Sequence, residues 1–256
     1  MIRRKDREAC ILVYQHDHAV LAGEIIALWG NGAFARPRPF EEVVFAVAEH
    51  DSGWKEWDSR PKVNPENGYP ANFMEMESAD QYKIWKGSYL GHAGGHPYAS
   101  SLIALHFDRF NEKSLGKNPG NGKAKLLEQE IDEFVSGHLG VEAGSADISA
   151  LPPDVKINLR FVQVGDIISL TLCHGWEEME IKDVPVDYDG NTALVKMTSS
   201  DGFNFVMDPY PFAVPVIKCS VPAVRLARRS FTSDDDLRRA LRDAEPVALD
   251  FTIGKG

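Results

Sequence analysis

The sequence predicts an α+β fold, mainly α: a helical bundle over residues 15–175, then a smaller antiparallel β-sheet subdomain over 176–256 that an N-terminal β-hairpin, residues 1–14, joins. Three observations predict it. Between Gln15 and His174 apolar residues recur at three- and four-residue spacing, as in Phe40, Val43, Val44 and Val47. After Gly175 the pattern changes to short β-type runs separated by turn signals such as Asp189-Gly190-Asn191 and Asp201-Gly202. The chain is also long enough, at 256 residues with 43% hydrophobic, to bury a real core without staples.

In chain order, Met1 to Arg4 and Cys10 to Tyr14 read as strands around a charged turn at Lys5 to Arg7. Asp17 to Trp29 is a helix with Leu21, Ala22 and Ile25 on its buried side and Gly30-Asn31-Gly32 as its stop. Pro37 and Pro39 open the next helix, Phe40 to Asp51. Gly53 to Phe73 is a long irregular segment, of a length that in compact domains often covers a functional site. Helices follow at Ser78 to Leu90 and Pro97 to Asn111, with a flexible loop expected over 114–124. Lys123 to His138 is amphipathic, and a Gly/Ser/Ala-rich link comes after it. Leu151 to Cys173 suits a buried helix or two strands, and length favours the helix. Strands are expected at Glu178–Val186, Thr192–Thr198, Phe203–Met207, Ala213–Val221 and Pro246–Ile253, with a helix at Asp234–Arg242.

The net charge of −10 argues against a nucleic-acid surface and for a small-molecule substrate, with room for a local basic pocket that takes a small phosphate. No run of apolar residues approaches the length of a membrane span. Three scattered cysteines suit a reducing compartment, so a cytoplasmic location is expected, and a homo-oligomer is compatible with all of this.

The chemistry is carried by polar residues on apolar stripes. His50 and Asp51 lie seven residues beyond Val43 and Val44, so both point inward at the end of their helix. Adjacent His and Asp give a borderline and a hard ligand from consecutive positions, a compact grip for a divalent metal. His18 shares the stripe of Leu21, Ala22 and Ile25, while His16 lies at the pocket rim. Asp166 stands amid Leu159, Val162 and Leu170, where an unpaired carboxylate is costly. His106 follows Leu102 by four and His92 follows Trp85 by seven, which makes both additional ligand candidates if they reach the cavity. Trp54, Lys55 and Arg60, in the irregular segment, are candidates with His16 for substrate contacts. The alternative for the histidines and acids is a satisfied polar group in a structural core, and for Trp54 and Arg60 a packed surface loop anchored by its tryptophans.

The order His18, His50-Asp51, Asp166 resembles the HD-domain superfamily of metal-dependent phosphohydrolases, an all-helical fold. That resemblance implies His18, His50, Asp51 and Asp166 as metal ligands, Asp51 or Asp166 as the catalytic carboxylate, and one or two divalent ions among Fe, Mn, Zn, Mg or Ni. More closely, Gln15-His16-Asp17-His18-Ala19, Trp29-Gly30-Asn31, His50-Asp51-Ser52-Gly53-Trp54 with Trp57-Asp58, and Asp208-Pro209-Tyr210-Pro211-Phe212 look like an uncharacterised bacterial domain-of-unknown-function family. The expected activity is metal-assisted hydrolysis of a phosphoester or similar small molecule. Two alternatives stand beside it: a dinuclear iron oxygenase of the HD type, and a non-catalytic interaction protein. All metal readings require Asp166 within about 10 Å of the Asp51 carboxylate, given first-shell distances near 2 Å.

Overall fold

A computed structural model describes residues 1–6, 9–76, 78–140 and 150–256. Strands β1 (Ile2–Asp6) and β2 (Ala9–Val13) form the expected hairpin, with Ile2 opposite Val13. Lys5 belongs to β1, and the end of the expected charged turn, Arg7, lies outside the described residues, as does the link over 141–149. Helices α1 (Gln15–Ala27), α2 (Phe40–Glu49) and a short α3 (Trp54–Asp58) follow, then α4 (Ser78–Leu90), α5 (Pro97–Lys117), α6 (Gly122–Leu139) and α7 (Pro153–His174). The remainder is β3 (Glu178–Pro185), β4 (Thr192–Ser199), β5 (Asn204–Asp208), β6 (Val216–Leu226), α8 (Asp234–Arg242) and β7 (Glu245–Lys255).

The expected fold class is corrected here. The strands form one seven-stranded sheet, ordered β1-β2-β6-β7-β5-β4-β3, so the fold is α/β with a large sheet instead of a helical bundle with a smaller sheet behind it. Nor is the sheet purely antiparallel, because β7 runs parallel to β5, with Phe205 opposite Ile253. Its inner face explains its size. Val195, Met197, Phe205, Ile217 and Phe251 are buried in the same cluster as Leu21 and Ile25 of α1 and Leu159 and Ile168 of α7. A sheet that shares its core with the helices is a principal layer of the fold. β2 is buried on both faces: Ile11 and Val13 meet the main core, while Cys10 and Leu12 meet Leu226, Phe231 and Leu237 under α8.

A second correction concerns residues 114–124. The first four continue α5 to Lys117, and α6 starts at Gly122 with Asn121 as its cap, leaving a connection of only a few residues.

Two of the family-like motifs are fastened to each other. Gly30 takes a positive φ of 110°, which favours glycine, and its N–H donates to the Pro211 carbonyl at 3.0 Å. Asn31 Nδ2 donates to the Tyr210 carbonyl at 2.8 Å, and the Trp29 and Phe212 rings meet edge to face at 5.3 Å. These contacts tie the end of α1 to the sheet.

Two glycines let helices close on the site. At Gly165 an added β-carbon would come within 2.6 Å of Val47 Cγ1, so glycine is what allows α7 to settle on α2. At Gly53 it would overlap the Ile84 carbonyl oxygen and approach the Ser88 backbone. Gly53→Ala is therefore expected to cost about 3 kcal/mol, since a backbone obstacle cannot swing aside. Urea unfolding checks this, and a loss under about 1 kcal/mol would contradict the packing described.

Candidate metal centre

Helix α2 ends at Glu49, and the chain turns with the Ser52 N–H donating to the Glu49 carbonyl at 3.0 Å. His50 and Asp51 stand at that turn, which is why two consecutive side chains both reach the interior: they are 1% and 6% exposed. His18 comes from the first turn and a half of α1, His106 from the middle of α5 and Asp166 from the middle of α7. The structure gathers all five. His18, His50 and Asp51 form one group and His50, His106 and Asp166 another, with the ligand atoms of each group within 4.8 Å of one another.

The sequence requirement on the two carboxylates is met. Asp51 Oδ2 and Asp166 Oδ1 lie 3.8 and 3.6 Å from the same atom, His50 Nε2, which has no hydrogen-bond partner among the described residues. His106 Nε2 is 3.8 Å from Asp166 Oδ2. These separations exceed a hydrogen bond and approach the roughly 3–3.5 Å between donor atoms that share one ion at about 2.1 Å.

The surrounding hydrogen bonds decide which nitrogens face inward. His50 Nδ1–H donates to the Val47 carbonyl at 2.7 Å, leaving Nε2 toward the two carboxylates. Ser169 Oγ–H donates to the Asp166 carbonyl at 3.0 Å, so its oxygen accepts from His18 Nδ1–H at 2.9 Å. His18 Nε2 then faces Asp51 Oδ2 at 3.0 Å. In both cases an imidazole nitrogen confronts a carboxylate oxygen, an arrangement that needs either a proton on that nitrogen or a metal cation between the two. Outer partners of this kind fix the tautomer and ring orientation of metal-bound histidines.

The electrostatics point the same way. Burial alone would lower the His50 pKa, but Asp51 and Asp166 outweigh it and push it up to about 9, so the pocket favours positive charge at that nitrogen. Asp166 is drawn down to about 2, against its burial, by His50, His106 and His18. Asp51 is likewise lowered, with burial opposing and His50 and His18 prevailing. His106, desolvated by burial, falls to about 4 and is a neutral donor. Imidazoles and ionised carboxylates of this kind fit a divalent ion, which would take the place of the proton on His50.

The other candidates lie elsewhere. His92 stands beyond the end of α4 and meets Ser52 Oγ at 3.0 Å and Glu49 Oε2 at 3.4 Å, so it joins neither group. Trp54 is buried against Phe73 as a core anchor. Arg60 is exposed and pairs with Glu56 at 2.6 Å. His16 and Lys55 line a cavity of about 590 Å³, together with Asp58. His16 Nδ1 and Lys55 Nζ lie 3.9 and 3.7 Å from Glu49 Oε2.

Sequence reasoning missed the supporting shell. Gln15 Nε2 donates to Asp51 Oδ2 at 3.1 Å, and Asp58 Oδ2 accepts the Gln15 N–H at 2.7 Å, which ties the cavity wall to the centre. Their presence in the Gln15-His16-Asp17-His18 and Trp57-Asp58 motifs was the available signal. Ser169, three residues after Asp166 on the same face of α7, carried a similar one.

No helix among the described residues is long and apolar enough to cross a membrane. Comparison with curated proteins and with solved structures returns no match. Residues 1–228 match the model of the family DUF3891, described as a protein of unknown function, and the chain belongs to that family.

Proposed function

We propose that this protein is a metal-dependent hydrolase of the HD type, acting on a phosphoester or similar small molecule. The observation that carries the reading is His50 Nε2, an unpartnered, buried donor 3.6 and 3.8 Å from two carboxylates. His18, His50, His106, Asp51 and Asp166 would hold the ion. A bound divalent cation would lower the pKa of a water and polarise a phosphoryl oxygen.

The chain's own groups divide the remaining work. Asp51 Oδ2 already accepts from Gln15 and faces His18, which fits it to hold the site's geometry. Asp166 is the more exposed carboxylate and faces its two histidines at 3.6 and 3.8 Å, beyond hydrogen-bonding distance. Asp166 is thus the better placed to orient a water, accepting a hydrogen bond from it as an ionised carboxylate. His50 has one inward nitrogen, and both three-residue groups contain it. A single lone pair serves a single ion, which favours a mononuclear hydrolase over a dinuclear oxygenase.

The test is elemental analysis of the purified protein, followed by a phosphoester panel with the metal found. Bound metal and cleavage of at least one ester are expected. A metal-free protein that cleaves none in the presence of Fe, Mn, Zn, Mg or Ni would overturn the reading, and bound iron with redox activity would replace hydrolysis by oxidation.

The His50 environment sets a pH dependence. With its pKa raised to about 9, His50 holds a proton at neutral pH that a metal must displace. Apparent metal affinity is expected to rise about tenfold per pH unit from 7 and to level off near 9, with about one proton released per ion. Calorimetry in two buffers of different ionisation enthalpy reads that proton. Uptake without proton release would contradict the assigned ligand.

A further inference from the structure

The cavity beside the metal centre has a wall that the proposed chemistry does not use. One side is the start of α1, with Tyr14 and His16, and another is α3 and its exit, with Lys55 and Asp58. The third side is α8, which turns Arg238, Leu241 and Arg242 into the same space. These three lie at i, i+3 and i+4, one face of the helix. At about 590 Å³ the cavity is of a size that takes a small organic molecule.

Its charges are unevenly matched. Asp17 and Asp58 also line it, and Asp58 turns Oδ2 to the Gln15 amide. Lys55 faces Glu49 at 3.7 Å, and Arg238 is held by Asp235 at 3.0 Å and Asp234 at 3.6 Å. Arg238 Nε is nevertheless buried without a hydrogen-bond partner, and so is His16 Nδ1. Arg242 makes no ion pair among the described residues. In a chain of net charge −10, a cavity lined by three cations against two carboxylates, with Arg242 in no ion pair among the described residues, is a place where an anion would be held.

We propose that α8 builds an anion subsite, with Arg242 and Lys55 as its principal cations, for a second acidic group of the substrate. The inference rests on the hydrolase reading for what happens at the other end of that molecule. The substrate class is a small phosphoester that carries a further phosphate or carboxylate away from the reacting one, with its apolar body against Tyr14, Pro61 and Leu241. Helix α8 lies beyond residue 228, outside the part of the chain that the family model covers.

The test is titration of the metal-free full chain with inorganic phosphate, followed by calorimetry, for wild type, Arg242→Glu and Arg239→Glu. Arg239 is exposed on the same helix and does not line the cavity, so its variant controls for charge alone. Phosphate binding is expected to weaken at least tenfold in Arg242→Glu and less than twofold in Arg239→Glu. Equal effects of the two variants, or a wild type that binds no phosphate, would overturn the subsite. Metal content of the same samples separates the two readings: phosphate binding that depends on Arg242 in a chain that takes up no metal upholds the subsite and removes the hydrolase.

Discussion

His50→Ala is expected to abolish metal binding while the chain stays folded. His50 is the ligand common to both donor groups, and its Nε2 is the atom nearest to both carboxylates. Losing only an outer partner of a ligand commonly weakens metal binding about 10- to 100-fold, so loss of the shared ligand should exceed about 100-fold. Phosphoester cleavage should fall to background with it. The fold should survive because the helices meet through a large apolar core, including Val43, Val47, Leu102 and Val162, that does not depend on this ring. Metal content and circular dichroism on the same sample read the two effects separately. Full metal occupancy in a folded variant would contradict the site, and unfolding of a protein that never held metal would make the cluster a structural polar core.

Asp166→Asn is expected to lower the turnover of whichever ester the wild type cleaves by more than about 100-fold, because it removes a carboxylate that would both hold the ion and orient the water. The amide keeps the shape of the carboxylate, but it loses the negative charge that faces His50 and His106. It also places an N–H₂ where a hydrogen-bond acceptor is needed. Asp166 is buried yet reachable, at 9% exposure, so the exchange disturbs little of the core. Turnover within about threefold of wild type would take Asp166 out of the proposed chemistry.

The helical period made much of this centre legible. His18, His106 and Asp166 each sit on an apolar stripe, and a stripe points where its neighbours point, whereas His50 and Asp51 stand just past the end of α2 and are turned inward by the chain reversal there. His92 shows the limit of that argument. Its inward assignment counted seven residues from Trp85, but α4 ends at Leu90, so the period no longer governs where His92 points. For Trp54 the sequence leaves pocket wall and anchor open; it opens the short helix α3 and is buried beside Phe73, as an anchor is. Gln15, Ser169 and Asp58 act through hydrogen bonds between distant elements, which spacing along one helix does not reveal.

The sheet was legible strand by strand and not as a whole. The expected strands and their turns were read from alternation, and so was the N-terminal hairpin that joins them. The parallel pairing of β7 with β5 joins residues about fifty positions apart, and the shared core of sheet and helices depends on which faces meet. Both are long-range facts. They turned what looked like a smaller appended sheet into the layer on which α1 and α7 rest.

The most direct measurement is an anomalous difference map from crystals grown with the ion that elemental analysis identifies. The account predicts one peak among His18, His50, His106, Asp51 and Asp166, about 2.0–2.3 Å from His50 Nε2 and from at least one carboxylate oxygen. A map with no peak in that cluster, from crystals soaked in excess of the same ion, would contradict it.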